Sequence, residues 1–149
     1  MDLIRILKGV ELFRGLDNAQ LQRVVSISQE ETYKEGQVIV RQGDPGDKMY
    51  IISSGQVEVQ VNVGRGGRHT AVYLGEGQVF GEMALIERSG RSATVVASRG
   101  GAVLHSFPGD KFEELWRTDT AIGYIMMRNM ALDLSFKLRH QNVGSTSDE

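Results

Sequence analysis

The residues best placed to do chemistry lie in one stretch, Gly77-Gln-Val-Phe-Gly-Glu-Met-Ala-Leu-Ile-Glu-Arg-Ser-Gly-Arg-Ser-Ala-Thr-Val-Val96. A strand pattern ends at Phe80, and Glu82–Ile86 suits one helical turn. The start of such a turn leaves N–H groups unpaired and carries partial positive charge, which makes a small anion site. Gly81 and Ala84 carry too little side chain to keep a ligand off the backbone. Arg91 adds a planar, two-pronged cation. Glu82 would repel an anion, so its place here makes sense if it accepts a hydrogen bond from a hydroxyl of the same ligand. A hydroxyl acceptor beside donors for one phosphate charge describes a ribose phosphate.

Other chemistries find little support. Cysteine is absent, which excludes disulfides, thiolate catalysis and Cys-ligated metals. His69, His105 and His140 stand far apart, too sparse for a multi-histidine zinc site or a cupin-like metal roll. No GxSxG, HExxH or GxxxxGK[ST] motif occurs. Lys plus Arg number 17 against 19 Asp plus Glu, so no cationic field attracts nucleic acid or an anionic membrane. No apolar run reaches the ~18 residues of a membrane span. The opening Met1–Lys8 is too short and too broken by charge for a signal peptide. These features predict a cytoplasmic, non-catalytic chain with no cofactor and no metal.

Three zones must position the central stretch. With 149 residues, 40% hydrophobic and 24% charged, the chain suits one globular domain. Residues 1–30 read as a helical segment, with an Asp17/Gln20 capping box ahead of Leu21, Val24 and Val25. Residues 31–107 read as short strands. Val57, Val59, Val61 and Val63 alternate with polar residues, and Gly64–Gly67 then turns a hairpin into Thr70–Leu74. Val38–Val40, Met49–Ile52, Ala93–Ala97 and Ala102–Phe107 supply further strands. Turns are expected at Gly43–Asp47, Ser54-Gly55, Gly75–Gly77 and Arg99–Gly101. Eighteen glycines against two prolines agree with many tight turns. Residues 108–141 return to helix, with a second capping box at Asp110/Glu113 and a long run opened by Asp119 or Thr120. The apolar residues of that run, from Ile122 to Leu138, exceed one stripe. Residues 142–149 read as a disordered tail.

Phe80-Gly-Glu-Met-Ala-Leu…Arg91-Ser-Ala-Thr-Val resembles the phosphate-binding cassette of cyclic nucleotide-binding domains, as found in catabolite activator protein and protein kinase A regulatory subunits. Leu12-Phe13…Leu16, Gly36-Gln-Val-Ile39, Gly43-Asp44…Asp47, Tyr50-Ile-Ile…Gly55 and Gly75…Gly77…Phe80 extend the likeness over residues 8–140. The resemblance implies a mainly β fold, a β-roll or jelly roll with N-terminal helices and a long C-terminal helix, the cassette spanning residues 80–93. It implies that Glu82, helped by the backbone of Gly81, takes the ribose 2′-hydroxyl. Arg91 then pairs with the cyclic phosphate, joined by backbone N–H groups around Met83, Ala84, Ser92 and Ala93. Either cyclic AMP or cyclic GMP fits, with cyclic AMP favoured. The last helix, residues 119–140, is expected to hinge and to close as a lid over the base, with Met127 and Arg128 as the lid residues.

The expected role is a cyclic-nucleotide sensor or regulatory domain that signals by moving its C-terminal helix. Its partners would be the ligand and an effector protein of unknown identity, without membrane or direct nucleic acid contact. Ile125 and Leu132 are seven apart, which allows a weak homodimer through the last helix. One alternative is the ligand-binding part of a catabolite-activator-type transcription regulator whose DNA-binding domain is absent from this chain. Another is a degenerate roll serving only as an interaction module, which an intact Glu82 and Arg91 oppose.

Overall fold

The computed structural model describes residues 2–62 and 67–147. Val63, most of the expected Gly64–Gly67 turn, Asp148 and Glu149 lie outside the described residues.

The N-terminal segment is helical through α1 (Leu3–Lys8), a 3₁₀ turn (Glu11–Phe13) and α2 (Asn18–Val25). Asp17 and Gln20 form the expected capping box, each accepting from the other's backbone N–H at 2.8 Å. The helical zone ends at Val25, earlier than the expected residue 30. Strand β1 (Gln29–Tyr33) follows, a strand that Gln-Glu-Glu-Thr-Tyr does not announce by pattern. Its state comes from its neighbour: it adds antiparallel to a later strand, from Gln29↔Ser106 to Tyr33↔Ala102.

Two strands of 15 residues each, β3 (Lys48–Asn62) and β6 (Thr94–Pro108), carry the roll. Each merges what the pattern divides into two strands. Ser54-Gly55 and Arg99–Gly101 do not reverse the chain; they bend it. Gly55 (φ 81°) and Gly101 (φ 78°) sit back to back, and a Cβ on Gly55 would run into the Gly101 carbonyl. The β3–β6 register shifts on both sides of this point, so the two strands curl together. The sheet order is β1-β6-β3-β4, with β4 spanning Arg68–Leu74. Strand β2 (Val38–Val40) pairs with β6, and β5 (Val79–Phe80) pairs with β3. Val57↔Leu74 through Asn62↔Arg68 give the expected hairpin pairing.

Two apolar cores result. One fills the roll, around Tyr50, Ile52, Val57, Phe80 and Leu104. The other joins the roll to the helices, with Leu7, Leu21, Met49, Ile51, Phe107 and Phe112 buried in it. Helix α3 (Gly109–Thr118) begins one residue before the expected Asp110 cap, and no side chain caps it. Gly109 N–H instead donates to the Asp47 carbonyl at 2.8 Å, which anchors the helix start to the roll. Glu113 is left free to pair with Arg117 (2.9 Å) and Arg88 (3.7 Å).

Helix α4 runs Thr120–Ser147, with the Asp119 carboxylate accepting from Ile122 N–H at 3.3 Å. Where the sequence reads as a tail from 142, the helical backbone continues through Ser147; no proline stops it, and propagation costs less than nucleation. Ile122, Met126 and Met130 are buried, whereas every residue from Ala131 to Gln141 is exposed. Among the described residues no helix is long and apolar enough to cross a membrane.

Candidate functional site

The site forms where β5 ends and the chain turns sharply. Gly81 takes φ 79°, ψ 17°, and a 3₁₀ turn follows over Glu82–Leu85. The turn closes when Ala84 N–H donates to the Gly81 carbonyl (3.1 Å). Ala84 N–H is thereby used within the turn, so the donors without an intrahelical acceptor are those of Glu82 and Met83. Leu85 and Ala84 are buried and anchor the turn, while Met83 is exposed.

Arg91 reaches this turn from the far side of the loop. The loop is held against Gly43–Asp47 by three backbone bonds: Arg91 N–H to Asp44 (2.8 Å), Gly43 N–H to Arg91 (2.9 Å) and Gly46 N–H to Ser89 (3.0 Å). Its guanidinium donates through Nη2 to the Lys48 carbonyl at 2.8 Å and lies 5.7 Å from the centre of the Tyr50 ring. Tyr50 in turn stacks on Phe80, with ring centres 4.8 Å apart. Burial, with Glu31 nearby, pushes the Tyr50 phenol up to about 12, although Arg91 pulls the other way. The ring therefore stays neutral and serves as the platform for the guanidinium.

Gly81 and Arg91 interlock. A Cβ on Gly81 would stand 2.5 Å from Arg91 Nη1 and 2.9 Å from the Lys48 carbonyl oxygen. Only glycine lets the guanidinium lie against the turn. Arg91 and Glu82 are both half-buried. Among the described residues no carboxylate lies within ion-pair range of Arg91, and Glu82 makes no hydrogen bond or ion pair. A fixed cation and an unengaged carboxylate thus flank one short turn. Ser92 is exposed and Ala93 half-buried immediately beyond Arg91. Among the described residues no group of three His, Asp or Glu side chains gathers to hold a metal ion.

The expected lid residues, Met127 and Arg128, are both on α4. Met127 packs against the core between roll and helices. Arg128 is exposed, lining a groove with Glu11, Arg14, Leu132 and Phe136. Among the described residues neither makes a hydrogen bond or ion pair to the cassette. On the exposed second half of α4 stands Lys137, which the expectations omit. Its ammonium bonds Asp133 at 2.9 Å, and that bond raises its pKa above the ordinary lysine value; the Glu82 carboxylate adds in the same direction. A signal for it exists in the sequence. Ile122, Met126 and Met130 mark the stripe of α4 that faces the body, and steps of three and four continue that stripe to Asp133 and Lys137. The stripe turns polar there, where the helix leaves the core.

Residues 30–119 match the family model described as "Cyclic nucleotide-binding domain". The chain is 32% identical over 138 residues to the "Cyclic AMP receptor protein" of Thermus thermophilus, covering 92% of this chain and 61% of that protein. It is 38% identical over 92 residues to the "cAMP-dependent protein kinase regulatory subunit" of Schizosaccharomyces pombe, covering 62% of this chain and 21% of that one. The chain therefore spans less than two thirds of the length of either relative. Among solved structures, Thermus thermophilus catabolite activator protein superposes with a TM-score of 0.79 at 29% identity, covering 91% of this chain and 62% of that one. The roll with its flanking helices, the Gly81–Arg91 turn and these matches agree: this chain belongs to the cyclic nucleotide-binding domain family.

Proposed function

We propose that the chain is a regulatory domain that binds a cyclic nucleotide and performs no chemistry on it. One observation carries this reading: a half-buried Arg91 guanidinium, stacked on Tyr50 without a carboxylate partner among the described residues, beside an unengaged Glu82. Arg91 takes the cyclic phosphate, and N–H groups at Met83, Ser92 and Ala93 share its oxygens. Glu82 and the Gly81 backbone take the ribose 2′-hydroxyl. Cyclic AMP is favoured over cyclic GMP, in keeping with the cyclic AMP proteins among its relatives. The base is covered by α4, whose exposed half begins after the buried Met130. Movement of that half carries the signal to an effector protein. Its exposed Leu132, Phe136 and Leu138 also offer a surface for a weak homodimer.

Calorimetric titration with cyclic AMP, cyclic GMP and linear AMP tests the reading. Both cyclic ligands bind, cyclic AMP more tightly, and linear AMP binds poorly. Arg91→Ala leaves the fold intact and lowers affinity by ~100-fold or more, the scale expected for breaking a desolvated charge pair. Parent-like affinity in Arg91→Ala would overturn the assignment.

The match to catabolite activator protein across 91% of this chain favours a second reading, the ligand-binding part of a transcription regulator. Cyclic-nucleotide-dependent DNA binding by the full-length gene product separates the two.

A further inference from the structure

The end of β5 explains where Arg91 sits. An antiparallel strand offers its backbone groups to a given neighbour at every second residue. On the β5 side of β3, Ile52 N–H donates to the Gln78 carbonyl at 3.0 Å, and Tyr50 stands opposite Phe80. The next such step along β3 is Lys48. By then β5 has ended at Phe80, and the chain turns away at Gly81. The Lys48 carbonyl is left without a strand donor, and Arg91 Nη2 takes that place at 2.8 Å. The guanidinium is hemmed in elsewhere too. Its carbon lies 5.7 Å from the centre of the Tyr50 ring, which is buried and stacked on the buried Phe80 with the ring planes 13° apart. Its stem passes Gly46, where a Cβ would stand 3.4 Å from Nε and 3.5 Å from Cδ.

Among the described residues every group that holds this guanidinium is uncharged. A carboxylate would grip it more firmly, through a charge-assisted pair. It would also compete with an incoming phosphate for the same charge. A carbonyl and the face of a ring hold the side chain and leave its charge undiminished. An arginine free in solvent gives up much rotamer freedom when it binds, whereas one already seated does not.

We propose that Tyr50 is a positioning residue for the ligand site: with the Lys48 carbonyl, its ring orders the Arg91 guanidinium before the phosphate arrives. This rests on the cyclic nucleotide reading above. Tyr50 acts through Arg91, and its contribution is the ordering that binding no longer has to supply. The face of the ring carries the effect, so the hydroxyl is dispensable.

Tyr50→Leu removes the ring and Tyr50→Phe keeps it. In calorimetric titration with cyclic AMP, Tyr50→Leu loses affinity about tenfold, the scale of a desolvated cation–π contact, and Tyr50→Phe restores it. In an Arg91→Ala background no guanidinium remains to be seated, so adding Tyr50→Leu changes affinity by less than about twofold. The same tenfold loss in both backgrounds signals general damage to the roll and overturns the positioning role. Parent-like affinity in Tyr50→Leu overturns it too, as does an equal loss in Tyr50→Phe. Removing a buried ring also lowers stability, so a second measurement needs no variant: NMR relaxation of the Arg91 Nε–H in the ligand-free protein. A seated guanidinium gives an order parameter near that of rigid backbone, ~0.85, and a value in the flexible range below ~0.6 overturns the seat. If the parent binds no cyclic AMP, the functional reading fails, and the order parameter still decides the seat.

Discussion

Gly81→Ala should damage stability and ligand binding together, and the structure gives the size of each part. At φ 79° an alanine is in the left-handed region, which costs roughly 1–2 kcal/mol for a residue with a Cβ. The new methyl would also lie 2.9 Å from the Lys48 carbonyl oxygen, on a paired strand that cannot easily retreat. Relieving that overlap adds ~1–3 kcal/mol, as for overpacking. The sum, ~2–5 kcal/mol, corresponds to a fall in Tm of roughly 5–15 °C for a domain of this size. The same methyl stands 2.5 Å from Arg91 Nη1, so the guanidinium must leave its seat over Tyr50 and affinity for cyclic AMP must fall as well. Gly77→Ala is the control. It has a similar φ of +83° but nothing within 4 Å of the added Cβ, so it carries strain without crowding. Thermal unfolding by circular dichroism and calorimetric titration of both variants read the two effects. Equal Tm shifts in the two variants, with parent-like affinity in Gly81→Ala, would refute the interlock of Gly81 with Arg91.

Two further outcomes are expected. A 2′-deoxy cyclic nucleotide binds the parent more weakly than its ribose counterpart, and most of that penalty disappears in Glu82→Ala; equal penalties in both proteins would remove Glu82 from the ribose. His105 is a half-buried histidine whose Nδ1 has no partner, and burial lowers its pKa below the ordinary value despite Glu30 at 3.9 Å. The unfolded chain then takes up a proton first, so stability falls as pH drops through the ordinary histidine pKa of ~6.5 towards the lower folded value. His105→Gln should lose less stability than the parent between pH 7.5 and 5.5, measured as urea midpoints; matching losses would show that His105 does not cause the dependence.

Much of the site is legible without a structure because it is local. Gly81, Glu82 and Ala84 share one turn, and Arg91 is tied to that turn by a short loop, so residue types and order carry the geometry. The Asp17/Gln20 cap is local for the same reason. The sequence by itself determined the cassette, the helical ends and the presence of an antiparallel roll. Tertiary structure alone decided the rest, because the deciding contacts are far apart in the chain. Strand β1 exists because β6 accepts it. Ser54-Gly55 and Arg99–Gly101 look like turns until Gly55 meets Gly101, where they become one shared bend. The Tyr50 platform and the Lys48 carbonyl reach Arg91 from 41 and 43 residues away. The apolar surplus of α4 divides into a buried first half and an exposed second half only because the body ends beneath Met130.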